Sequence, residues 1–216
     1  MAIMNSTQAA DTEIANQLMS LYESAKQTVV SLGYTGEIQW QDAVTGEDFT
    51  ETDLLREAAW VILCSGFKEA YVRKVFDFIS LSFCDWESAD LIASRSDQCV
   101  DAAIQVFGNK RKVNAIAKLA QQVSEQGFEN FKREIITEPI SSLQTIPFIG
   151  KITSYHLAKN LGFNFAKPDR HVLRLANRHG FADVQEFCNR IAELSGDIRS
   201  TVDIVLWRYE AINAVH

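Results

Sequence analysis

The sequence predicts an all-α protein built from two helical lobes. Apolar residues recur at intervals of three and four through most of the chain, which is the spacing of one face of an α-helix. Glycine and proline separate these segments, as at Gly33, Pro139 and Gly180. No series of segments alternates apolar and polar residues as β-strands do, and no internal repeat or low-complexity tract occurs.

Ten segments carry the helical spacing. They are residues 12–32, 54–65, 70–82, 101–107, 113–125, 128–135, 151–161, 170–179, 184–195 and 198–214. Thr50 and Asp53 form a capping box before the second segment. Residues 33–46 are expected to be a loop or short extended piece, residues 84–98 a short helix plus loop, and Pro139 closes the segment before residue 143. The expected lobes are residues 50–150, and residues 1–49 together with 151–216.

Composition narrows the class of protein. A chain of 216 residues with 47% hydrophobic residues can bury one substantial core or two smaller ones. It carries no run of eighteen apolar residues and no secretory leader, so we expect a cytoplasmic protein, associated with the nucleoid if bacterial. The four cysteines are scattered without a C-x-x-C spacing, and the histidines show no metal-ligand spacing. The expected chemistry therefore needs no metal.

A helix-hairpin-helix is predicted at about residues 143–161. Pro147 disfavours helical backbone at Ile146, so the incoming helix should stop there. Gly150 permits a positive φ or a close approach, and the next helix follows directly, ending at Gly162. Unpaired N–H groups at such a helix start bind phosphate, and Lys151 adds a cation. The alternative is an ordinary corner between two helices.

Asp169 is the candidate catalytic residue. Pro168 suits the start of a helix, which places Asp169 at the cap or first turn of residues 170–179. A plain N-cap is the alternative interpretation. In the functional interpretation, the helix dipole and Arg170 favour the charged carboxylate. Such a carboxylate can stabilise a developing sugar oxocarbenium ion and orient water for attack.

The net charge of −7 argues against a protein that binds nucleic acid over its whole surface. Cations are nevertheless concentrated locally. Residues 145–180 contain six Lys or Arg and one Asp, so the segment carries 6 − 1 = +5. Two groups of cations are candidates for binding the DNA backbone, namely Lys167 with Arg170 and the triplet Lys110, Arg111 and Lys112. A solvated helix face is the alternative for the triplet.

At the hairpin and Asp169 the sequence resembles the helix-hairpin-helix DNA glycosylase superfamily. The resemblance covers residues 143–175 closely and residues 54–75 more weakly, where residues 61–67 are similar to the family's helix and loop beside the damaged base. It implies a DNA-binding cleft between the two lobes and extrusion of one base from the duplex. It also implies backbone contacts from Phe148, Gly150, Lys151 and Thr153.

A wedge beside the damaged base is also implied by the resemblance. Phe67 is the candidate wedge, with Ser65 beside it. Tyr155, His171 and Trp40 are candidates for the pocket, each with core packing, capping or surface exposure as its alternative.

Two departures from the family pattern bear on the reaction. Phe148 stands where the first hairpin glycine is usual, and Ile152 occupies the position of the lysine that bifunctional members use. Lys151 lies one residue earlier, which is about 100° around a helix. No cysteine follows Cys188, so the iron–sulfur cluster of some members is not expected. The resemblance allows a structural monovalent cation at the hairpin carbonyls, and no other cofactor is required.

The predicted function is that of a monomeric, monofunctional DNA N-glycosylase acting on double-stranded DNA. Asp169 would stabilise the oxocarbenium ion and position water. An alkylated purine is slightly preferred as the substrate because it leaves readily, while an oxidised base or a bulky modified pyrimidine is possible. The alternatives are a non-catalytic DNA-binding module with the same hairpin and a glycosylase/lyase that uses Lys151.

Overall fold

The computed structural model describes residues 6–213, with side chains from residue 8 onward. Within that range the chain forms thirteen α-helices and one 3₁₀ turn, Cys84–Trp86, and no strand. The helices are α1 (Ser6–Ser31), α2 (Thr35–Ala43), α3 (Glu51–Cys64), α4 (Glu69–Ser82), α5 (Ala89–Ser94), α6 (Ser96–Val106), α7 (Lys110–Gln126), α8 (Phe128–Thr137), α9 (Pro139–Leu143), α10 (Lys151–Asn160), α11 (Arg170–Arg178), α12 (Val184–Ser195) and α13 (Arg199–Asn213). The all-α prediction is confirmed. The predicted end of the last helix, residue 214, lies outside the described residues.

The helices group into two compact units. Unit 1 contains the described residues up to Val44 and from Asn164 onward, and unit 2 is Thr45–Phe163. Helix α10 lies in unit 2 because it packs on α9 and α3, whereas the sequence analysis placed residues 151–163 in the other lobe. One of its contacts is the Nδ2 of Asn160, which donates to the Glu57 carboxylate over 2.9 Å. Burial raises the pKa of Glu57.

Unit 1 is built around α13. Helices α1, α2, α11 and α12 all pack against it, and its apolar residues Val202, Val205 and Leu206 are fully buried. Polar contacts complete this unit. Arg208 of α13 donates through its guanidinium to both carboxylate oxygens of Glu37, which is the bidentate geometry that favours arginine over lysine.

Unit 2 is built around α7. Helices α3, α5, α6 and α8 pack on it, and the apolar face that the sequence predicted there is buried through Val113, Ile116 and Leu119. The capping box before α3 is confirmed, since the Thr50 hydroxyl accepts from the Asp53 N–H and the Asp53 carboxylate accepts from the Thr50 N–H.

The structure differs from the prediction at α2, at Pro139, and at the start of α6, which is Ser96 and not residue 101. Residues 35–43 form α2 and not a loop, because Ile38 and Gln41 are buried as the helix packs against α13, a tertiary contact that its weak apolar pattern does not reveal. Pro139 begins the short helix α9 and does not only end the preceding one. Proline suits this position because the first N–H groups of a helix have no intrahelical acceptor.

Gly162 marks the tightest backbone approach among the glycines. Its φ is +92°, and a β-carbon there would lie 2.5 Å from the carbonyl carbon of Thr45 and 2.8 Å from the N of Gly46. The residue therefore needs glycine for two reasons, the left-handed backbone and the missing side chain. Both Thr45 and Gly162 belong to unit 2.

Gly162→Ala should lower the free energy of unfolding more than Gly180→Ala does. Gly180 also has a positive φ of +83°, but a β-carbon there would meet no atom within 4 Å. The control should cost about 1–2 kcal/mol for the left-handed backbone. Gly162→Ala should cost a further amount of about 1–3 kcal/mol because the backbone of residues 45 and 46 must move. Urea unfolding of both variants measures the difference, and equal losses would contradict the close approach.

Candidate active site and nucleic-acid interface

The turn between α9 and α10 is anchored by buried apolar side chains. Leu143, Ile146 and Ile149 are 0%, 1% and 4% exposed. The Ile149 N–H donates to the Ile146 carbonyl over 3.0 Å, and the Ile146 N–H donates to the Leu143 carbonyl over 3.2 Å. These contacts fix the corner, and they leave Phe148 42% exposed.

Phe148, and not Gly150, adopts the left-handed backbone of this turn. Its φ is +67°, while Gly150 is extended, with φ −108° and ψ −168°. The sequence permits either a positive φ or a close approach at Gly150, and the positive φ lies at Phe148 instead. A left-handed conformation is costly for a bulky residue and persists only where its surroundings impose it. Nothing lies within 4 Å of a β-carbon built at Gly150, so this residue leaves the start of α10 open.

The start of α10 has the form of an anion site. Gly150 offers no capping side chain, and the Thr153 hydroxyl accepts from the Gly150 N–H over 2.7 Å. The first N–H groups of the helix are therefore left for an external acceptor, at the positive end of the helix dipole. Lys151 is exposed beside them.

Exposed aromatic and cationic side chains continue from the hairpin across unit 2. We use the name aromatic–cationic surface for Phe67, Tyr71, Arg111 and Phe148. The Arg111 guanidinium lies 5.7 Å from the Phe148 ring centroid, and the Phe67 and Tyr71 rings lie 6.2 Å apart, nearly parallel. A groove of about 510 Å³ is lined by Phe67, Tyr71, the buried Phe107 and residues 108–111. Sequence reasoning missed Tyr71, which lies on a face of α4 that also exposes Phe78 and Leu81.

Lys112 requires a correction. The sequence analysis assigned it to the DNA backbone with Lys110 and Arg111, but it is 4% exposed. Its ammonium donates to backbone carbonyls at the end of α3 and is not available to a phosphate. Lys110 and Arg111 are exposed, as a phosphate contact requires. The helical period explains the difference, because residue 112 falls on the buried face of α7.

Asp169 is the N-cap of α11. Its Oδ1 accepts from the N–H groups of His171 over 2.9 Å and Val172 over 3.2 Å. Its Oδ2 lies 3.9 Å from the ammonium of Lys167, and its side chain is 13% exposed. One carboxylate oxygen thus holds the helix start, while the other carries no backbone hydrogen bond and is held in a fixed direction.

Side chains of unit 1 hold the segment that leads to Asp169. The buried carboxylate of Asp203 accepts from the Lys167 N–H over 3.1 Å. Gln185 bonds both backbone groups of Ala166, accepting from its N–H over 3.0 Å and donating to its carbonyl over 2.5 Å. Sequence reasoning missed Asp203 and Gln185, because they lie 36 and 19 residues from their partners. They make Asp169 part of a rigid framework.

The remaining predicted residues lie at several places. Arg170 is exposed next to Asp169, and His171 is half-buried with its Nδ1 3.1 Å from the Arg174 guanidinium. Trp40 is 43% exposed on α2 of unit 1. Ser65 and Tyr155 are half-buried in unit 2, after α3 and on α10. The structure therefore groups Lys167, Asp169, Arg170 and His171 in unit 1, and Ser65, Phe67, Lys110, Arg111 and Phe148 with the hairpin in unit 2.

The described residues show neither a metal-binding cluster nor a membrane-spanning helix. Among residues 6–213, no three His, Cys, Asp or Glu side chains come close enough together to hold a metal ion. No helix in the same range has the length and apolarity needed to cross a bilayer.

Comparison with known proteins gives one structural similarity. The crystal structure of Tm1821, the 8-oxoguanine DNA glycosylase of Thermotoga maritima, matches with a TM-score of 0.54 and 19% sequence identity. The match covers 89% of this chain and 95% of that one. No protein-family model matches the sequence, and no curated protein matches it significantly. At this identity the similarity shows a shared fold, that of an all-α DNA glycosylase.

The left-handed backbone at Phe148 predicts an unusual order of stabilities. Phe148→Gly should be more stable than Phe148→Ala by about 1 kcal/mol, because both lose the ring but only glycine tolerates the positive φ without strain. Phe78, exposed in the interior of α4, is the matched control. There the glycine variant should be less stable than the alanine variant by about 0.5–1 kcal/mol. Chemical unfolding of the four variants measures both differences, and the same order at both positions would contradict the assigned backbone.

Proposed function

We propose that the protein is a monofunctional DNA N-glycosylase, which hydrolyses the bond between deoxyribose and an altered base. The observation that carries the proposal is the carboxylate of Asp169, with one oxygen fixed by the helix start and the other without a backbone bond. The shared fold with a DNA glycosylase supports it. Such a reaction needs a fixed negative charge where the sugar becomes cationic.

In the proposed reaction the departing base takes the electron pair of the glycosidic bond. The sugar passes through an oxocarbenium-like transition state, which Oδ2 of Asp169 stabilises by its charge. Water then attacks C1′, and Asp169 orients it and accepts its proton. A carboxylate held by backbone N–H groups and by a framework behind it needs little reorganisation during these steps, which is how preorganised groups lower a barrier.

DNA binding is assigned to cationic side chains, of which Lys167 is half-buried, and to backbone N–H groups. In unit 2 these are the start of α10 with Thr153, Lys151, Lys110 and Arg111. In unit 1, Lys167 and Arg170 flank Asp169. Contacts of this kind position a duplex without reading its sequence. A monovalent cation at the hairpin stays a prediction. Two of the carbonyls that could bind it, those of Leu143 and Ile146, already accept backbone N–H groups.

Extrusion of the base is assigned to Phe67, which follows the tight turn after α3. The Phe67 N–H donates to the Cys64 carbonyl over 3.1 Å, and the residue is 40% exposed. An enzyme that acts on a base within a duplex must unstack it, and inserted side chains offset the lost stacking. Tyr71, 6.2 Å from Phe67, extends the apolar surface that the neighbouring bases would meet.

The substrate class proposed first is an alkylated purine. The proposed mechanism supplies no acid to protonate a leaving base, and an alkylated purine that already carries a positive charge needs none. The structural similarity to an enzyme that acts on 8-oxoguanine makes an oxidised purine the second candidate. A non-catalytic module in which Asp169 serves only as a helix cap is the competing function, and one pair of variants separates it from the enzyme.

Asp169→Asn should slow excision strongly and leave folding and DNA affinity in place. Asparagine is as good an N-cap as aspartate, but it lacks the negative charge, so the single-turnover rate should fall by about 10²–10³-fold. The matched control is Asp183→Asn, because Asp183 caps α12 in the same way, with Oδ1 2.9 Å from the Glu186 N–H. Duplexes with a 7-methylguanine or an 8-oxoguanine provide the substrates, and released base is measured by chromatography. The proposal would be refuted if wild type and Asp169→Asn released base at equal rates. It would also be refuted if neither protein released a base from either duplex.

Borohydride should trap no covalent adduct between the protein and its substrate DNA. Trapping requires a lysine that forms a Schiff base with the sugar, and the position that bifunctional family members use is Ile152, 50% exposed on α10. Ile152→Lys places an amine in that register and tests whether the assay can detect one. A trapped wild-type adduct that disappears in Lys151→Ala would show that Lys151 is the nucleophile and that the enzyme is also a lyase.

A further inference from the structure

Lys112 is a buried cation that the proposed reaction does not use. Its ammonium donates to the carbonyls of Ile62, Leu63 and Ser65, the last two over 3.3 and 2.5 Å. These carbonyls lie in the last turn and at the cap of α3, where a helix leaves its acceptors unpaired. An ammonium has three donors, so all of them are used. The negative end of the α3 dipole compensates the buried charge.

The same ammonium faces two exposed aromatic rings. It lies 5.3 Å from the centroid of Phe67 and 5.8 Å from that of Phe148. Both distances fall in the range where a cation is attracted to the face of a ring. Phe67 follows α3, and Phe148 belongs to the hairpin before α10. A single charge on α7 therefore contacts the two segments to which we assign base extrusion and backbone binding.

We propose that Lys112 is a positioning residue, which holds Phe67 and Phe148 as a fixed pair before DNA binds. The proposal rests on the proposed function for the identity of the partner, but the fixed pair is a property of the free protein. Burial lowers the pKa of Lys112 to about 8, so the ammonium that makes these contacts predominates at pH 7. If Lys112 served only to cap α3, the three carbonyl contacts would be explained. The contacts with the rings of Phe67 and Phe148 would not be.

The first test uses the protein without DNA. Chymotrypsin cleaves after aromatic residues, and cleavage in the native state reports how often a segment opens. Lys112→Gln should speed cleavage after both Phe67 and Phe148 by about tenfold, because the loss of a charged hydrogen-bond network costs at least one power of ten in local opening. Lys118→Gln, an exposed lysine on the same helix, is the control and should leave both rates unchanged. Unchanged rates in Lys112→Gln would refute the proposal, and faster cleavage after Phe67 alone would reduce Lys112 to a cap of α3.

A second variant keeps the proposal testable if Lys112→Gln does not fold. Phe148→Leu removes one ring at an exposed position and retains an apolar side chain. If the ammonium couples the two segments, cleavage after Phe67 should rise about twofold, the effect of one exposed cation–π contact. No change after Phe67 would show that the two rings are independent and would overturn the proposal.

The DNA test distinguishes this inference from the proposed function. In the Asp169→Asn background, 2-aminopurine placed next to the extruded base brightens when that base leaves the stack. Lys112→Gln should reduce this signal by about threefold or more. When Phe67→Ala is already present, Lys112→Gln should cause no further loss of fluorescence. A residue that acts through Phe67 has no effect once the Phe67 ring is removed. If Lys112→Gln lowered the fluorescence by the same factor with Phe67 present and with Phe67→Ala, the positioning role would be overturned. If the starting protein does not bind DNA, the proposed function fails, while the cleavage result still decides the role of Lys112.

Discussion

The position of the Asp169 carboxylate depends on the hydrogen bonds that begin α11. Two backbone N–H groups take Oδ1, and because the carboxylate is planar and rigid, they also set the direction of Oδ2. Behind it, the backbone of residues 166 and 167 is bonded to Gln185 and to the buried Asp203. Two polar side chains of unit 1 thus hold the backbone that carries Asp169. This arrangement is what an active site requires when charge, and not proton transfer alone, lowers the barrier.

The aromatic–cationic surface of unit 2 is exposed, whereas Asp169 of unit 1 is largely buried. The candidate interface of unit 2 consists of exposed aromatic rings and cations on turns and in the first turns of helices, and the backbone has positive φ at Phe148 and at Gly66. Strain such as that at Phe148 is common where a protein positions groups for a partner. The buried apolar residues of the hairpin and the ammonium of Lys112 supply the rigidity that the turns themselves lack. Unit 1 thus holds a charged side chain in place, and unit 2 carries exposed aromatic rings.

Much of the fold was predictable from the sequence because local rules determine it. Apolar periodicity located the long helices, and the capping box at Thr50 and Asp53 marked where α3 begins. The sequence also placed Asp169 at a helix start, which the structure confirms. Helix α2 could not be found this way, since its two buried residues acquire their role only by packing on α13.

The candidate site was less predictable because several of its contacts are long-range. Lys112 stands in a basic triplet, and although the helical period puts it on the buried face of α7, the carbonyls that accept from its ammonium lie about 50 residues earlier in the chain. The left-handed residue of the hairpin is Phe148, against the usual preference for glycine, because the buried side chains on either side impose the turn. Asp203 and Gln185 carry no local motif at all. Their role is visible only in the folded structure, where they bond to the backbone of Ala166 and Lys167.

The close approach of Gly162 to Thr45 has a topological consequence. Unit 2 starts at residue 45 and stops at residue 163, so its first and last residues are neighbours in space. It is thus a self-contained insertion in the chain of unit 1, entered and left at one point. Proteins with adjoining ends of this kind tolerate circular permutation. A short linker would therefore span the two ends of the segment that carries the hairpin, whereas Asp169 lies outside that segment.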